Sequence, residues 1–420
     1  MAPLPRLRPS LALGLVAVVL AGCGQDDSSR SPFAPEPKDD RSATATDLGF
    51  PVVATRNTTR TATDDGPAAA AAVARAVYSG GAAETQARAV ALVNQRDWRV
   101  ALAASALNAD PVGAPTLFSD GDDLPDATRD ALRQLRPAGS PGIDNAQVIR
   151  VGGAPRPEGL RATAIEGSDP AGVALGIDRF LAAAKRRASD AVLVVSSEQP
   201  AFALPAAAYA AKSGTPIAFV GRDAVPADTV RQLRDHQDPT IYVLGPSKVI
   251  SPAVTKQLRR YGTVRRVGGQ DPVSNAIAFA RYDDNGFGWN IVNAGHGFLV
   301  ARSDATLPAL SLAPLAGTGL HGPLLLLDRA DRLAEPVRSY LLDVQPGIAG
   351  DPVNSYYNRA WLSGSTDAIS PAVQSQIDAL MEVTSVDVDG ARLRREEPAG
   401  TATTGTTATP TPPPSKEDER

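Results

Sequence analysis

"VLGPSKVISPAVTKQL" runs from Val243 to Leu258, and its pattern returns as "WLSGSTDAISPAVQSQI" from Trp361 to Ile377. In both copies an apolar run ends on a glycine, Gly245 or Gly364, and five residues later Ile-Ser-Pro-Ala-Val begins, at Ile250 and at Ile369. Ser251 and Ser370 are placed as helix N-caps, and Pro252 and Pro371 as first helical residues, where a missing N–H costs nothing. The stretch reads as strand, turn and helix, and its recurrence makes it the closing part of a repeated unit.

The rest of that unit lies upstream, in copies about a hundred residues apart, the size of a small domain rather than of a solenoid repeat. "GAPTLFSDGDDLPDATRDALRQL" begins at Gly113, "GTPIAFVGRDAVPADTVRQL" at Gly214 and "HGPLLLLDRADRLAEPVRSYLL" at His321. Pro115, Leu124, Pro125, Thr128 and Leu132 stand opposite Pro216, Val225, Pro226, Thr229 and Leu233 without a gap. Further upstream, "AVALV" at 89–93, "AVLVV" at 191–195 and "GFLVA" at 297–301 are each followed by a polar loop and an Ala-rich helical segment. Closing strands are "QVIRVGG" at 147–153, "TIYVLG" at 240–245 and "RAWLSG" at 359–364. None of these strands alternates, as expected when helices cover both faces of a parallel sheet. Strands alternating with helices predict an α/β fold built of parallel βαβ units. The first copy passes from Gly153 into "APRPEGLRA" without the closing helix.

The two ends of the chain differ from its middle. Arg6 and Arg8 precede an apolar run from Leu11 to Leu20, about half of the ~20 residues that span a bilayer, so residues 1–22 read as a signal peptide. The run ends in Leu20-Ala21-Gly22-Cys23, which resembles a bacterial lipobox, and Cys23 is the only cysteine of the chain. A single thiol excludes an intramolecular disulfide or a cysteine metal cluster. The resemblance implies lipidation of Cys23, export, and anchoring through acyl chains such as palmitate on the outer face of the cytoplasmic membrane. Residues 23–55 read as a disordered tether, and residues 385–420, Thr/Pro-rich with a charged end, as a disordered tail.

"TTRTATDDGPAAAAAVARAV" (58–77), "LAASALNADPVGAPTLFSDGDDLPDATRDALRQL" (102–135) and "YVLGPSKVISPAV" (242–254) together resemble the cell wall-binding repeat 2 family. That family carries a Pro-Asp-Ala-Leu helix, a Gly-Ala-Pro-Ile-Leu-Leu strand and a Val-Leu-Gly-Gly turn before a Val-Ser-x-x-Val helix. The resemblance implies three Rossmann- or Toprim-like repeats with small parallel sheets about a pseudo-threefold axis, at 56–157, 158–262 and 263–384. It also implies a non-catalytic envelope protein that binds an anionic cell-wall polymer or glycan. Here the family's Ile-Leu-Leu is Thr116-Leu117-Phe118, Ile217-Ala218-Phe219 and Leu324-Leu325-Leu326.

A formal net charge of −4 nominates no nucleic acid, and an anionic ligand must meet a local patch. Ligands of open parallel sheets sit beyond the carboxyl ends of the strands. The loops there hold Asn94, Arg96 and Asp97, then Ser197 and Glu198, then Arg302, Ser303 and Asp304, as candidates for sugar hydroxyls or phosphate. Capped helices and solvated turns are the commoner use of such residues. Repeat starts carry Arg60, Arg161 and the pair Arg265 and Arg266, followed by Asp65, Asp169 and Asp271; the arginines could grip an anion or tie the repeats internally. Gly152-Gly153 and Gly268-Gly269 read as tight turns rather than phosphate cradles. His236, His296 and His321, the three histidines, lack metal spacing, and no cofactor is expected. "DNGFGWN" (284–290) and "DPVNSYYNRAWL" (351–362) concentrate aromatics that could stack sugars or pack a core. Two rivals remain at this level: a solute-binding lipoprotein with two lobes around one cleft, and an envelope hydrolase with a histidine beside clustered carboxylates.

Overall fold

A computed structural model of the chain describes residues 53–79, 85–348 and 356–385. Cys23 and the expected signal peptide lie outside the described residues, as do the expected tail from 386 onward and the expected tether up to residue 52. Along the chain, β1 (Val53–Ala54), β2 (Thr58–Arg60) and α1 (Gly66–Val77) come first. Then follow β3 (Val90–Asn94), α2 (Trp98–Ala104), β4 (Thr116–Ser119), α3 (Asp126–Leu135), β5 (Val148–Val151), β6 (Ala162–Ile165) and α4 (Pro170–Lys185). The middle of the chain forms β7 (Ala191–Ser196), α5 (Pro200–Ala203), α6 (Pro205–Ser213), β8 (Ile217–Val220), α7 (Ala227–Arg234), β9 (Thr240–Leu244), α8 (Pro252–Leu258), β10 (Thr263–Val267) and α9 (Pro272–Arg281). A small hairpin, β11 (Asp283–Asp284) with β12 (Phe287–Gly288), leads to β13 (Gly297–Arg302), α10 (Thr306–Leu310), α11 (Ala313–Gly317), β14 (Leu324–Leu327) and α12 (Glu335–Asp343). Last come β15 (Gly347–Ile348), β16 (Arg359–Leu362), α13 (Pro371–Met381) and β17 (Thr384–Ser385).

Three sheets carry the fold. Their orders are β4-β3-β5-β6, β10-β9-β7-β8 and β1-β2-β16-β13-β14, and within each the pairings are parallel except β1 with β2. In each, the unit's first strand (β3, β7 or β13) lies between its second and third, so the order reverses there. The chain is α/β, with three similar small sheets, as the repeat pattern predicts.

The sheets are offset from the sequence repeats by one strand. β6 closes the first sheet although it follows residue 158, and β10 closes the second although it begins at Thr263. The third sheet takes its fourth strand from the other end of the chain: β2 pairs with β16, Thr58 opposite Ala360 and Arg60 opposite Leu362. β6 and β10 were not legible as strands because they lie at sheet edges with most of their residues exposed or half-buried, and β2 because it is only three residues, Thr58-Thr59-Arg60, all polar.

The linker after each fourth strand begins with the same device. Asp65, Asp169 and Asp271 cap α1, α4 and α9, accepting from the backbone N–H of Ala68, Gly172 and Ser274, with proline in each first turn. Each linker helix then packs on the second strand of the next sheet: α1 on β4, α4 on β8, α9 on β14. Near the pseudo-threefold axis, α6 and α11 pack on each other and on the 3₁₀ turn Ser105–Asn108. Those segments are rich in fully buried alanines such as Ala106, Ala208 and Ala316, and small side chains let the backbones approach. One apolar cluster therefore joins all three units, from Val93 and Phe118 through Val195 and Phe219 to Leu299 and Leu326. Outer faces of the first two sheets have clusters of their own.

The glycine turn and Ile-Ser-Pro-Ala-Val helix start are built as their sequence predicts. Ser251 and Ser370 accept from the N–H of Val254 and Val373, and Gly245 and Gly364 take φ of 120° and 108°, where other residues are strained. An arginine on the fourth strand then binds the turn. Arg266 donates to the carbonyls of Gly245 (2.5 Å) and Ile250 (2.8 Å). Arg60 does the same in the third unit and more: its Nη1 reaches Gly364 O (3.2 Å) and Ser365 O (2.5 Å), its Nη2 reaches Ile369 O (2.8 Å) and Gln374 Oε1 (2.7 Å), and its Nε reaches Gln374 Oε1 (3.1 Å). All five donors of the fully buried Arg60 guanidinium are spent, so Arg60 is not shaped as an anion grip, while Arg266 commits one donor of each Nη to its turn.

Replacing Arg60 by Ala leaves these carbonyls without donors and unfastens the N-terminal strand. The expected loss of unfolding free energy is at least about 1–3 kcal/mol, the range for leaving a buried polar group without its hydrogen-bond partner, measured by urea denaturation. Arg266→Ala, which removes two contacts of an exposed side chain, should cost less; equal effects would contradict the ring-closing role of Arg60.

Candidate functional site

The crevice where strand order reverses is the natural ligand position in each unit. In the third unit it remains open, as a cavity of about 510 Å³ lined by Asp64, Gly66, Arg302, Asp304, Thr306 and Leu307 among others. Arg302, at the end of β13, donates from Nη2 to Asp304 Oδ2 at 2.7 Å, while its Nε is buried without a partner among the described residues. Asp64 is turned to the opposite rim, accepting from Ser365 N (2.8 Å) and Ser365 Oγ (2.5 Å). Gly66 admits the start of α1 here, since a Cβ on it would stand 3.0 Å from Leu307 Cβ. One guanidinium among two carboxylates and the Thr306 hydroxyl can hydrogen-bond a polyhydroxylated ligand at several points; it is not an all-cationic phosphate clamp.

The corresponding residues of the other two units are drawn into the fold. Arg96 turns to the loop after β4, pairing with Asp120 at 2.8 Å, and Asp97 caps α2 while held by Arg99. The exposed Asp122 and Asp123 belong to that same loop. Ser197 donates from Oγ to Val220 O (3.1 Å), and Glu198 accepts from Arg222 N (3.1 Å), so both face the loop after β8. Arg161 donates to Asn145 O (2.9 Å) just before β6. Arg265, one residue from Arg266, pairs with Asp284 (2.7 Å) and lies on the opposite face of β10. Of the ten candidate binding residues, only Arg302 and Asp304 line the open crevice. Asp64 and Thr306 were missed: Asp64 precedes the capping Asp65 and had no distinguishing signal of its own.

The aromatic segment at 284–290 is core. Phe287 stacks on Tyr242 with centroids 3.4 Å apart, and Tyr209, Tyr282 and Trp289 complete the cluster, so the hairpin fastens the third unit to the second. In the other segment Tyr356 and Tyr357 are exposed, whereas Trp361 packs against the core.

No histidine stands beside clustered carboxylates among the described residues. His296 bonds Asn293 (2.9 Å), and burial followed by the Lys212 charge lowers its pKa. His321 lies edge-on to Trp361, and burial, with Arg359 nearby, pushes it down to about 4. His236 is buried between Asp178 Oδ2 and Ser189 O, both 2.7 Å away, tying the end of α7 to α4. Among the described residues no group of three or more His, Cys, Asp or Glu is placed to hold a metal, and no helix is long and apolar enough to cross a membrane.

Known proteins resemble this arrangement. Residues 165–255 match Cell wall binding domain 2 (CWB2). The amidase enhancer of Bacillus subtilis (strain 168) is 30% identical over 148 residues, which is 34% of this chain and 19% of that protein. Cwp6 from Clostridium difficile shares the fold with a TM-score of 0.63 at 18% identity, covering 78% of this chain and 48% of that one. Cwp8 from Clostridium difficile does so with a TM-score of 0.58 at 19% identity, covering 81% and 54%. The chain thus spans about half the length of these two proteins and matches under a fifth of the amidase enhancer.

The buried histidine gives a pH signature. Burial opposes charge on His236, but the hydrogen bond and field of Asp178, with the Ser189 carbonyl, outweigh it and raise its pKa. The folded chain holds that proton more tightly than the unfolded one. The pair's stabilisation is therefore full below the ordinary value of about 6.5 and fades as pH rises through the folded pKa. Urea midpoints should fall from pH 6 toward pH 9, and His236→Asn should flatten that slope; an unchanged slope would show that His236 does not carry the pH dependence.

Proposed function

We propose that this chain, whose residues 165–255 carry a cell wall-binding repeat, is a non-catalytic lipoprotein that bridges the cell membrane and the wall. The match of the middle repeat to the wall-binding family carries this reading. The crevice of the third unit supports it with hydroxyl-binding chemistry, and exposed Arg161, whose side chain bonds only a backbone carbonyl among the described residues, adds a cationic contact for an anionic polymer despite the net charge of −4. Cys23 would supply the membrane attachment, because two acyl chains anchor where one does not. Three units about one axis do not form the paired lobes that a transporter's solute-binding protein closes around its ligand.

Two outcomes are expected. The full chain carrying Cys23→Ser should co-sediment with purified cell walls at low salt. It should dissociate as the Debye length shrinks from about 10 Å at 0.1 M to about 3 Å at 1 M, and it should bind weakly to walls stripped of anionic polymer. Arg302→Gln should reduce the bound fraction; no binding to intact walls at low salt would refute the proposal. Separately, Cys23→Ala should abolish incorporation of labelled palmitate and release the protein from the membrane fraction, and undiminished labelling would remove the anchor.

A further inference from the structure

The first unit lacks the helix that closes the other two, and its outer face shows the consequence. In the second unit Leu233 of α7 is covered by Val249, Ile250, Val254 and Leu258, the turn and helix of the Ile-Ser-Pro-Ala-Val motif. In the third, α13 packs against α12 in the same position. In the first, the counterpart Leu132 is 7% exposed against 0% for Leu233, and the connecting loop adds only Ala154 and the half-buried Leu160 to its cluster. Beside them is a groove of about 690 Å³, larger than the switch-point crevice, with Leu124, Leu132, Leu160 and Pro157 along it. Its rim carries Arg129, Arg133 and Arg136 of α3 and its C-cap, against one acidic residue, Glu158. Arg129 and Arg133 are paired with Asp126 and Asp130 on their own helix at exposed positions, so those pairs are weak.

We propose that this groove receives a short acidic amphipathic helix from a partner protein, which completes the first unit in trans as α8 and α13 complete the others in cis. Internal symmetry supplies the occupant's shape. A helix entering on a serine–proline start lies on this face twice in the same chain, with Val254 and Leu258, or Val373 and Ile377, at i and i+4 turned inward. The rim supplies its charge: Arg136, together with Arg129 and Arg133 when they exchange their weak exposed pairs with Asp126 and Asp130, selects carboxylates on the flanks of the apolar stripe. The floor argues against a polysaccharide, because leucine side chains offer sugar hydroxyls no hydrogen bonds and would be left wet beneath them. Helix-in-groove recognition through i, i+4 and i+7 anchors is a standard mode for such surfaces. The proposal stands apart from wall binding, since it uses a different face of a different unit.

The test uses the full chain with Cys23→Ser and a fluorescent synthetic peptide of about twelve residues, ~18 Å long as a helix, with the Ser-Pro-Ala-Val start, leucines continuing the stripe and glutamates elsewhere. The peptide should bind with saturable anisotropy, and a twin with lysine for glutamate should not. Combined Arg133→Glu and Arg136→Glu should weaken binding at least tenfold. Leu160→Asp, at a half-buried loop position, should do the same with an unchanged circular dichroism spectrum. Replacing residues 153–160 by the chain's own segment 246–261 should fill the groove in cis, abolish peptide binding and raise the melting temperature. Absence of peptide binding to the unaltered chain, or binding that survives both the graft and the charge reversal, would overturn the proposal. So would displacement of the peptide by dextran sulfate with the same arginine dependence, which would make the groove a polyanion site.

Discussion

The guanidinium of Arg60 is the contact on which the architecture turns. It sits on a three-residue strand near the described N-terminus, yet all five of its donors end on a turn and helix some three hundred residues later. Burying that charge lowers its pKa, and no carboxylate touches it; carbonyl dipoles and Gln374 hold it instead. Neighbouring bonds reinforce the join. Gly364 N donates to Thr61 Oγ1, Gln374 donates to Thr58, and Asp378 accepts from Thr55 and from the backbone of Asn57. A linear chain of three units thereby becomes a ring in which the first two sheets borrow their fourth strand from the following stretch of chain and the third borrows its own from residues 58–60. No unit is complete alone.

That borrowing explains why the repeated sequence devices are structural before they are functional. Aspartates at the repeat starts orient the linker helices, and arginines two residues before the third repeat's first glycine or five before Asp65 fasten turns. Where the turn-binding arginine has no counterpart, in the first unit, the register places Ala164 opposite Arg150, and the closing helix is missing as well. Arginine and helix are parts of one device: without the carbonyls of the turn and helix start, a buried guanidinium there would have nothing to bind.

The same degeneration separates the three crevices. In the first two units the polar residues after β3 and β7 bond to the loop of the adjacent strand or cap a helix, whereas the third unit has a cavity whose guanidinium retains a buried nitrogen without a partner among the described residues. Three equivalent positions have thus diverged in use, with an open crevice in the third unit and, on the outer face of the first, an open groove.

Sequence alone determined the α/β class, the recurring strand–turn–helix unit, the serine–proline helix starts at 251–252 and 370–371 and the absence of the closing helix after Gly153, because each rests on local chemistry: periodicity, capping, and glycine in the left-handed region. Tertiary structure alone decided that residues 58–60 belong to the last sheet, that Arg60 and Arg266 serve turns while Arg265 serves the hairpin, and that Asp64 meets Arg302 across a crevice. Those relations join residues far apart in the chain, and an arginine's partner is set by which surfaces packing brings within 3 Å, which no local pattern encodes.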